Sequence, residues 1–196
     1  MPVASPKPEF ENAAWVTIPT QLDVNTLYAF CLNPEKLFRL NPYLKIFSWQ
    51  ATGSEADVHW QNHSDGDIQE VNTRLSIEKK EQEICVHYQA GIKEASYFIV
   101  EPNNDVANLI IVDRYASDVA DQNSQVDKSI HAWGEALNRF FKHYKYLRHL
   151  PLMEKVIDRF WIKLSPMARR ITYILFVISL VEMVALVLLV FSMLIR

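Results

Sequence analysis

Along this chain the spacing of apolar side chains changes three times. Between residues 45 and 117 apolar and polar positions alternate; after Asp127 the apolar ones recur at three- and four-residue steps; beyond Ile171 the polar positions almost vanish. The alternating region divides into strands at Lys45–Ala51, Asp57–His63, Ile68–Lys79, Ile84–Ala90, Ser96–Glu101 and Ala107–Ser117. Turn formers separate them: Thr52-Gly53-Ser54, Ser64-Asp65-Gly66-Asp67, Lys80-Glu81-Gln82, Gly91 and Pro102-Asn103-Asn104-Asp105. Connections this short join antiparallel neighbours, so the pattern predicts a meander. Upstream, Ala14–Ile18 reads as a further strand. Asp23 can cap a helix running to about Leu32, and Asn33-Pro34-Glu35 starts a second one, with Pro34 at the first helical position and an end before Asn41-Pro42.

The helical stripe Ile130, Trp133, Leu137, Phe140, Phe141, Tyr144 and Leu147 predicts a helix of about six turns, wide and aromatic enough to cover a curved sheet. Pro151 restarts the pattern. Met153, Val156, Ile157, Phe160, Trp161 and Leu164 then lie opposite Glu154, Lys155, Asp158, Arg159 and Lys163. Two readings stand side by side. The segment is an amphipathic helix at a membrane surface, with Trp161 at headgroup depth, or it continues the long helix and packs on the domain.

Ile171–Ile195 contains one side chain that is charged in water at neutral pH, Glu182. At about 1.5 Å per residue it can cross a hydrocarbon core of about 30 Å. Arg169 and Arg170 precede it directly, Arg159 and Lys163 lie further back, and only Arg196 follows. The positive-inside rule therefore predicts a single-pass protein whose N-terminal body is cytoplasmic. The opening MPVASPKPEFEN lacks the basic-then-apolar pattern of a signal peptide, so the C-terminal span is expected to be the targeting element. The expected organisation is a tail (1–11), a domain (12–149), an amphipathic juxtamembrane helix (150–166) and a transmembrane helix (167–196).

Charge sharpens this picture. The formal net charge of −3 hides a split: residues 1–127 carry 9 Lys and Arg against 19 Asp and Glu, whereas residues 128–170 carry 10 against 3. An acidic body on a basic neck suits an anionic bilayer. It argues against nucleic acid as a partner, because the cations lie nearest the membrane. Cys31 and Cys85 fit a reducing compartment; an even pair can bond, but two residues make no disulfide framework.

The order strand, two short helices, six antiparallel strands and a long C-terminal helix resembles the helix-grip fold of the START-like (SRPBCC) superfamily, which includes polyketide cyclase-like and coenzyme Q-binding proteins. The resemblance covers residues 12–149. It includes the run Leu32-Asn33-Pro34-Glu35-Lys36-Leu37 followed by Asn41-Pro42, similar to the stretch joining the two small helices in many bacterial members. The apolar tail and the presence of only 4 glycines depart from that pattern. The resemblance implies an α+β fold of about seven strands curled around the long helix, with an apolar cavity between them.

On the more apolar parity of each strand, the cavity would be lined by Phe47, Trp49, Val58, Trp60, Val71, Thr73, Leu75, Ile77, Ile84, Val86, Tyr88, Phe98, Val100, Leu109, Ile111 and Asp113, with Trp133, Leu137, Phe140 and Phe141 from the helix. Thr73, Tyr88 and Asp113 are the polar members that would orient a head group. The alternative is that the large aromatics fill the space.

The sequence carries no phosphate-binding glycine loop, no GxSxG and no CxxC pair. His59 and His63 read as surface histidines rather than a metal pair, and Asp113 with Arg74 is a candidate cross-strand ion pair. Glu182 sits near mid-span, where a lone carboxylate costs several kcal/mol. With Ser179 one turn earlier it is a candidate docking face for another transmembrane helix or a lipid or proton site, the alternative being a protonated Glu that a long helix tolerates. Two principal functions follow. One is a membrane-tethered binding protein for a lipid, isoprenoid, quinone or pigment, with such a molecule as its only bound group and no required cofactor. The other is an accessory subunit of an integral membrane complex. A cyclase-like enzyme is a weaker third. An open apolar cavity of several hundred Å³ favours the first; a packed interior counts against it and leaves the second.

Overall fold

Tight turns set the sheet. In the computed structural model, which describes residues 12–64, 68–116, 123–150 and 152–195, Gly53 (φ 63°), Gln82 (φ 60°) and Asn104 (φ 53°) take left-handed backbone at three of the hairpin turns. The strands they join are β2 (Leu44–Thr52), β3 (Glu55–Asn62), β4 (Gln69–Lys80), β5 (Glu83–Tyr88), β6 (Lys93–Asn103) and β7 (Val106–Tyr115). The expected turn at Asp65-Gly66-Asp67, the last strand residue Ser117, Pro151, the tail 1–11 and Arg196 lie outside the described residues. β1 (Ala13–Pro19) pairs with β7, giving one antiparallel sheet of order β1-β7-β6-β5-β4-β3-β2.

Two short helices cross from one sheet edge to the other. α1 (Val24–Cys31) is capped by Asp23, whose Oδ1 accepts from the Thr26 amide at 2.9 Å. α2 (Pro34–Arg39) has Pro34 at its first turn, where no donor is missed. α3 (Asn123–Leu147) lies across the sheet with Ile130, Trp133, Leu137, Phe141 and Tyr144 buried. It lies close on β1 at Gly134, where an added Cβ would sit 2.7 Å from Val16 Cγ2. This is the α+β helix-grip architecture.

Two expectations are corrected. Phe47 does not line the interior. A β-bulge between Ile46 and Ser48 breaks the parity of β2, so Ile46 and Trp49 face inwards while Phe47 packs at a tilt against His59 on the outer face, ring centroids 4.8 Å apart. The juxtamembrane segment is not one continuous amphipathic helix either. A single turn, α4 (Met153–Val156), passes into a π-helical turn at Ile157–Trp161 closed by Ile162 N–H donating to Ile157 O at 2.9 Å. The wider turn puts Ile157 and Ile162, five apart, on one buried face. α5 (Pro166–Leu194) follows, capped by Ser165; its most apolar 18-residue window has a mean hydropathy of 3.0, none of its residues is fully buried, and it is long and apolar enough to cross a membrane.

Candidate functional site

The side chains expected to line a cavity converge on the face of the sheet turned towards α3. Trp60, Thr73, Leu75, Phe98, Ile111 and Asp113 are buried there, with Trp49 and Tyr88 half-buried, and α3 supplies buried Trp133, Leu137 and Phe141. What they enclose is already occupied. Phe38, on α2, is 1% exposed and stands among five aromatic rings. Its centroid lies 5.6 Å from Trp49, 5.9 Å from Trp60, 6.3 Å from Tyr88, 5.8 Å from Phe98 and 5.5 Å from Trp133. Contacts of this kind contribute about 0.5–1.5 kcal/mol each beyond their area. Trp133 Nε1 donates to Leu37 O at 3.0 Å, which ties α2 to α3 beside the plug. Phe38 was not among the expected lining residues. Its signal was the Leu37-Phe38 pair in a helix too short to bury one face only.

A polar chain runs through this aromatic interior. Asp113 is 0% exposed. Its Oδ2 pairs with Lys93 Nζ and its Oδ1 accepts from Ser96 Oγ. With that proton committed, Ser96 Oγ accepts from Tyr88 OH at 2.8 Å. Burial pushes the Tyr88 phenol well above its ordinary range, and the Asp113 carboxylate adds to the shift. Lys93 Nζ also lies 5.8 Å from the Trp133 ring centroid. The expected Asp113–Arg74 pair is therefore corrected. Arg74 instead meets Asp57 at 2.7 Å on the outer face. Thr73 is engaged by backbone, its Oγ1 accepting from Ala90 N–H at 3.2 Å. Ser96 shares the parity of Phe98 and was legible on that ground. Lys93 was hidden by a bulge between Lys93 and Ala95.

Elsewhere the chemistry is sparse. His59 Nε2 lies 2.6 Å from Glu70, exposed, and no group of three or more potential metal ligands occurs among the described residues. Cys31 and Cys85 are free and buried; burial pushes the Cys31 thiol to about 12. A cleft of about 380 Å³ lies between α1 and the C-terminal end of α3, lined by Thr26, Phe30, Lys36, Tyr144 and Arg148 among others. A polar trough of about 580 Å³ runs over β2–β4 past Gln50, Asp57, His59 and Arg74. Neither is lined by Phe38 or the five rings around it, although Val58 and Thr73, expected in the cavity, border the trough.

The neck residues divide. Lys155, Arg159, Lys163 and Arg170 are exposed, and Trp161 is half-buried. Arg169, expected at the membrane surface, turns back onto the domain and donates through Nη2 to Arg39 O at the end of α2. Asp158 meets Lys36 of α2 at 2.6 Å. Ser179 and Glu182 are exposed on α5, where nothing else in the described chain covers them.

An antiparallel seven-stranded sheet gripping one long helix, with two small helices across its edges, defines a helix-grip protein. Solved structures share it. The Zhui aromatase/cyclase from Streptomyces sp. R1128 matches with a TM-score of 0.51 at 10% identity, over 71% of this chain and 96% of its own. TTHA0849 from Thermus thermophilus matches at 0.50 and 10% identity, over 67% and 96%. The di-domain ARO/CYC BexL from the BE-7585A biosynthetic pathway matches at 0.50 and 15% identity, over 72% of this chain and 48% of its own. At such identities the likeness is one of fold. No protein-family model and no curated protein matches the sequence.

Proposed function

We propose that this protein is a membrane-tethered binding protein for a hydrophobic molecule with a polar end: a lipid, isoprenoid, quinone or pigment. The observation that carries this is the Lys93–Asp113–Ser96–Tyr88 chain inside an otherwise aromatic interior. Taking an ion pair out of water costs several kcal/mol per ion before their attraction offsets it, and an apolar interior would hold the fold without it. Titratable groups held in such surroundings cluster at functional sites. The packed interior by itself points to the subunit reading; the binding reading requires Phe38 to be a movable plug that occupies the place of the apolar body, with cargo entering when α2 lifts. α5 spans the bilayer with the body on the cytoplasmic face, as the cations of the neck favour. The tether keeps the domain beside the membrane that supplies the cargo.

The test is mass spectrometry of organic extracts from the full chain purified in mild detergent. A stoichiometric hydrophobic small molecule, lost when Lys93 and Asp113 are both replaced, is the expected result. An empty protein would refute the reading. A second reading, an accessory subunit of a membrane complex docked through Ser179 and Glu182, is favoured by the packing of Phe38 among five rings. It predicts a stoichiometric membrane protein and no cargo in the same preparation. A cyclase-like activity has less behind it, because the interior acid, Asp113, is already held in an ion pair.

A further inference from the structure

The connector between α3 and α5 has two unlike faces. One is closed by the domain: Ile157 and Ile162 are buried, and Asp158 is taken up by Lys36. The other is open. Leu152 (73% exposed), Val156 (47%), Phe160 (59%) and, at the start of α5, Met167 (72%) are apolar side chains with no cover on this chain. Lys155, Arg159, Lys163 and Arg170 stand exposed among them. Glu154 is the one exposed carboxylate of that stretch, since Asp158 is half-buried and engaged. This apolar and cationic ridge is continuous with the first turns of α5. Arg169, bonded to the end of α2, fixes the start of that helix against the domain.

We infer that the open face of residues 152–163 is an interfacial membrane contact that seats the domain directly on an anionic leaflet, Val156 and Phe160 entering the interface while Lys155, Arg159, Lys163 and Arg170 meet lipid phosphate. The inference rests on α5 spanning the bilayer. Continuity with α5 chooses a lipid surface over a protein partner, because a helix leaving the ridge for the hydrocarbon core carries the ridge to the headgroup layer. The mixture of exposed large apolar side chains with cations is the composition such interfaces select. Each cation held near an anionic surface strengthens the contact by about fivefold, falling off within a Debye length. The domain then rides on the membrane in one orientation, with α2 at the seated end, rather than swinging on a stalk.

The full chain is reconstituted into nanodiscs of phosphatidylcholine alone and of equimolar phosphatidylcholine and phosphatidylserine. A V156C variant carries an environment-sensitive dye; Cys31 and Cys85 are buried and stay unlabelled. The expected result is a blue-shifted emission, quenched by headgroup-level spin-labelled lipid. It should be stronger in the anionic discs, and the excess should be lost in high salt and in K155E/R159E/K163E. Water-like emission in both disc types, with α5 still resistant to alkaline carbonate extraction, would overturn the seat and leave the span intact. Extraction by carbonate would overturn both. A shift seen in native membranes but absent from lipid-only discs would assign the face to a protein and overturn the proposal as well.

Discussion

Replacing Lys93 by Met removes the ammonium that faces Asp113 while keeping an unbranched side chain of similar reach. Asp113 is 0% exposed, so the variant leaves a carboxylate buried with Ser96 as its remaining partner in the chain. Removing one member of a fully buried pair costs about 3–5 kcal/mol. The Lys93 side chain is 23% exposed, so solvent already screens part of the pair and the figure falls to about 2–4 kcal/mol. The lost cation–π contact with Trp133 adds at most about 1 kcal/mol. For a chain of this size each kcal/mol moves Tm by about 2–4 °C, so a fall of about 4–20 °C is expected. The assay is thermal unfolding of the full chain in detergent, followed by tryptophan fluorescence. The double variant Lys93→Met/Asp113→Leu carries the decisive information. It removes both charges, so stability should return to within about 1–2 kcal/mol of the parent. A Lys93→Met protein that melts within about 1 kcal/mol of the parent would refute the view that the pair is desolvated. A stable double variant that still carries the native cargo would refute the polar chain as its anchor.

Gly134→Ala places a methyl 2.7 Å from Val16 Cγ2, and Val16 is β-branched and stiff. The overlap costs about 1–3 kcal/mol and exceeds the gain of about 1 kcal/mol in helix propensity, so Tm should fall and Val16→Ala should restore it. A rise in Tm for the single variant would show that α3 has room to move off β1. Asp23→Ala should cost about 1 kcal/mol through the lost cap. Hydrogen bonds from the Thr26 side chain and amide hold the Asp23 carboxyl below its ordinary value. The cap's contribution is therefore full at neutral pH and is lost as pH falls through that lowered value, so the gap between parent and variant should close below about pH 4. A gap that persists at acid pH would assign the cap to geometry alone. The Cys31 thiol, raised to about 12 by burial, should resist thiol reagents at neutral pH until denaturant unfolds the chain; fast native labelling would show that α1 opens locally. Lys36→Met breaks the contact with Asp158, and labelling of Cys31 in α1 should then speed up if the neck braces the small helices.

The period of two carried the strands and the period of 3.6 carried α3, because both reflect which face of an element meets the core. Parity failed where the backbone departs from regular pleat. At Phe47 a bulge turned an aromatic outward, and between Lys93 and Ala95 another hid a cation whose side chain closes the interior site. No rule of alternation locates an inserted residue. In the neck, spacing by four grouped Val156 with Phe160 and Ile157 with Trp161, whereas the π-turn pairs Ile157 with Ile162 and leaves Val156 and Phe160 in the open. Phe38 escaped for a different reason. Six residues of α2 give too few positions for a period, so its burial is decided by the aromatic rings that surround it.

α2 joins the two parts of the molecule that the sequence kept separate. Its inner side puts Phe38 among the rings of the interior, and Leu37 O accepts from Trp133 of α3. Its outer side gives Lys36 to Asp158 and Arg39 O to Arg169, both in the neck. A six-residue helix between Asn33 and Asn41 contributes little stability of its own, so its position is set by these tertiary contacts. If the proposed binding function holds, space for a ligand opens only when Phe38 withdraws, and Phe38 can withdraw only with a shift of α2. The same shift strains the contacts with the neck. On that reading, access to the interior and the attitude of α5 would be coupled through one short helix, and the coupling would be reciprocal: whatever biases the neck would bias the plug by the same free energy.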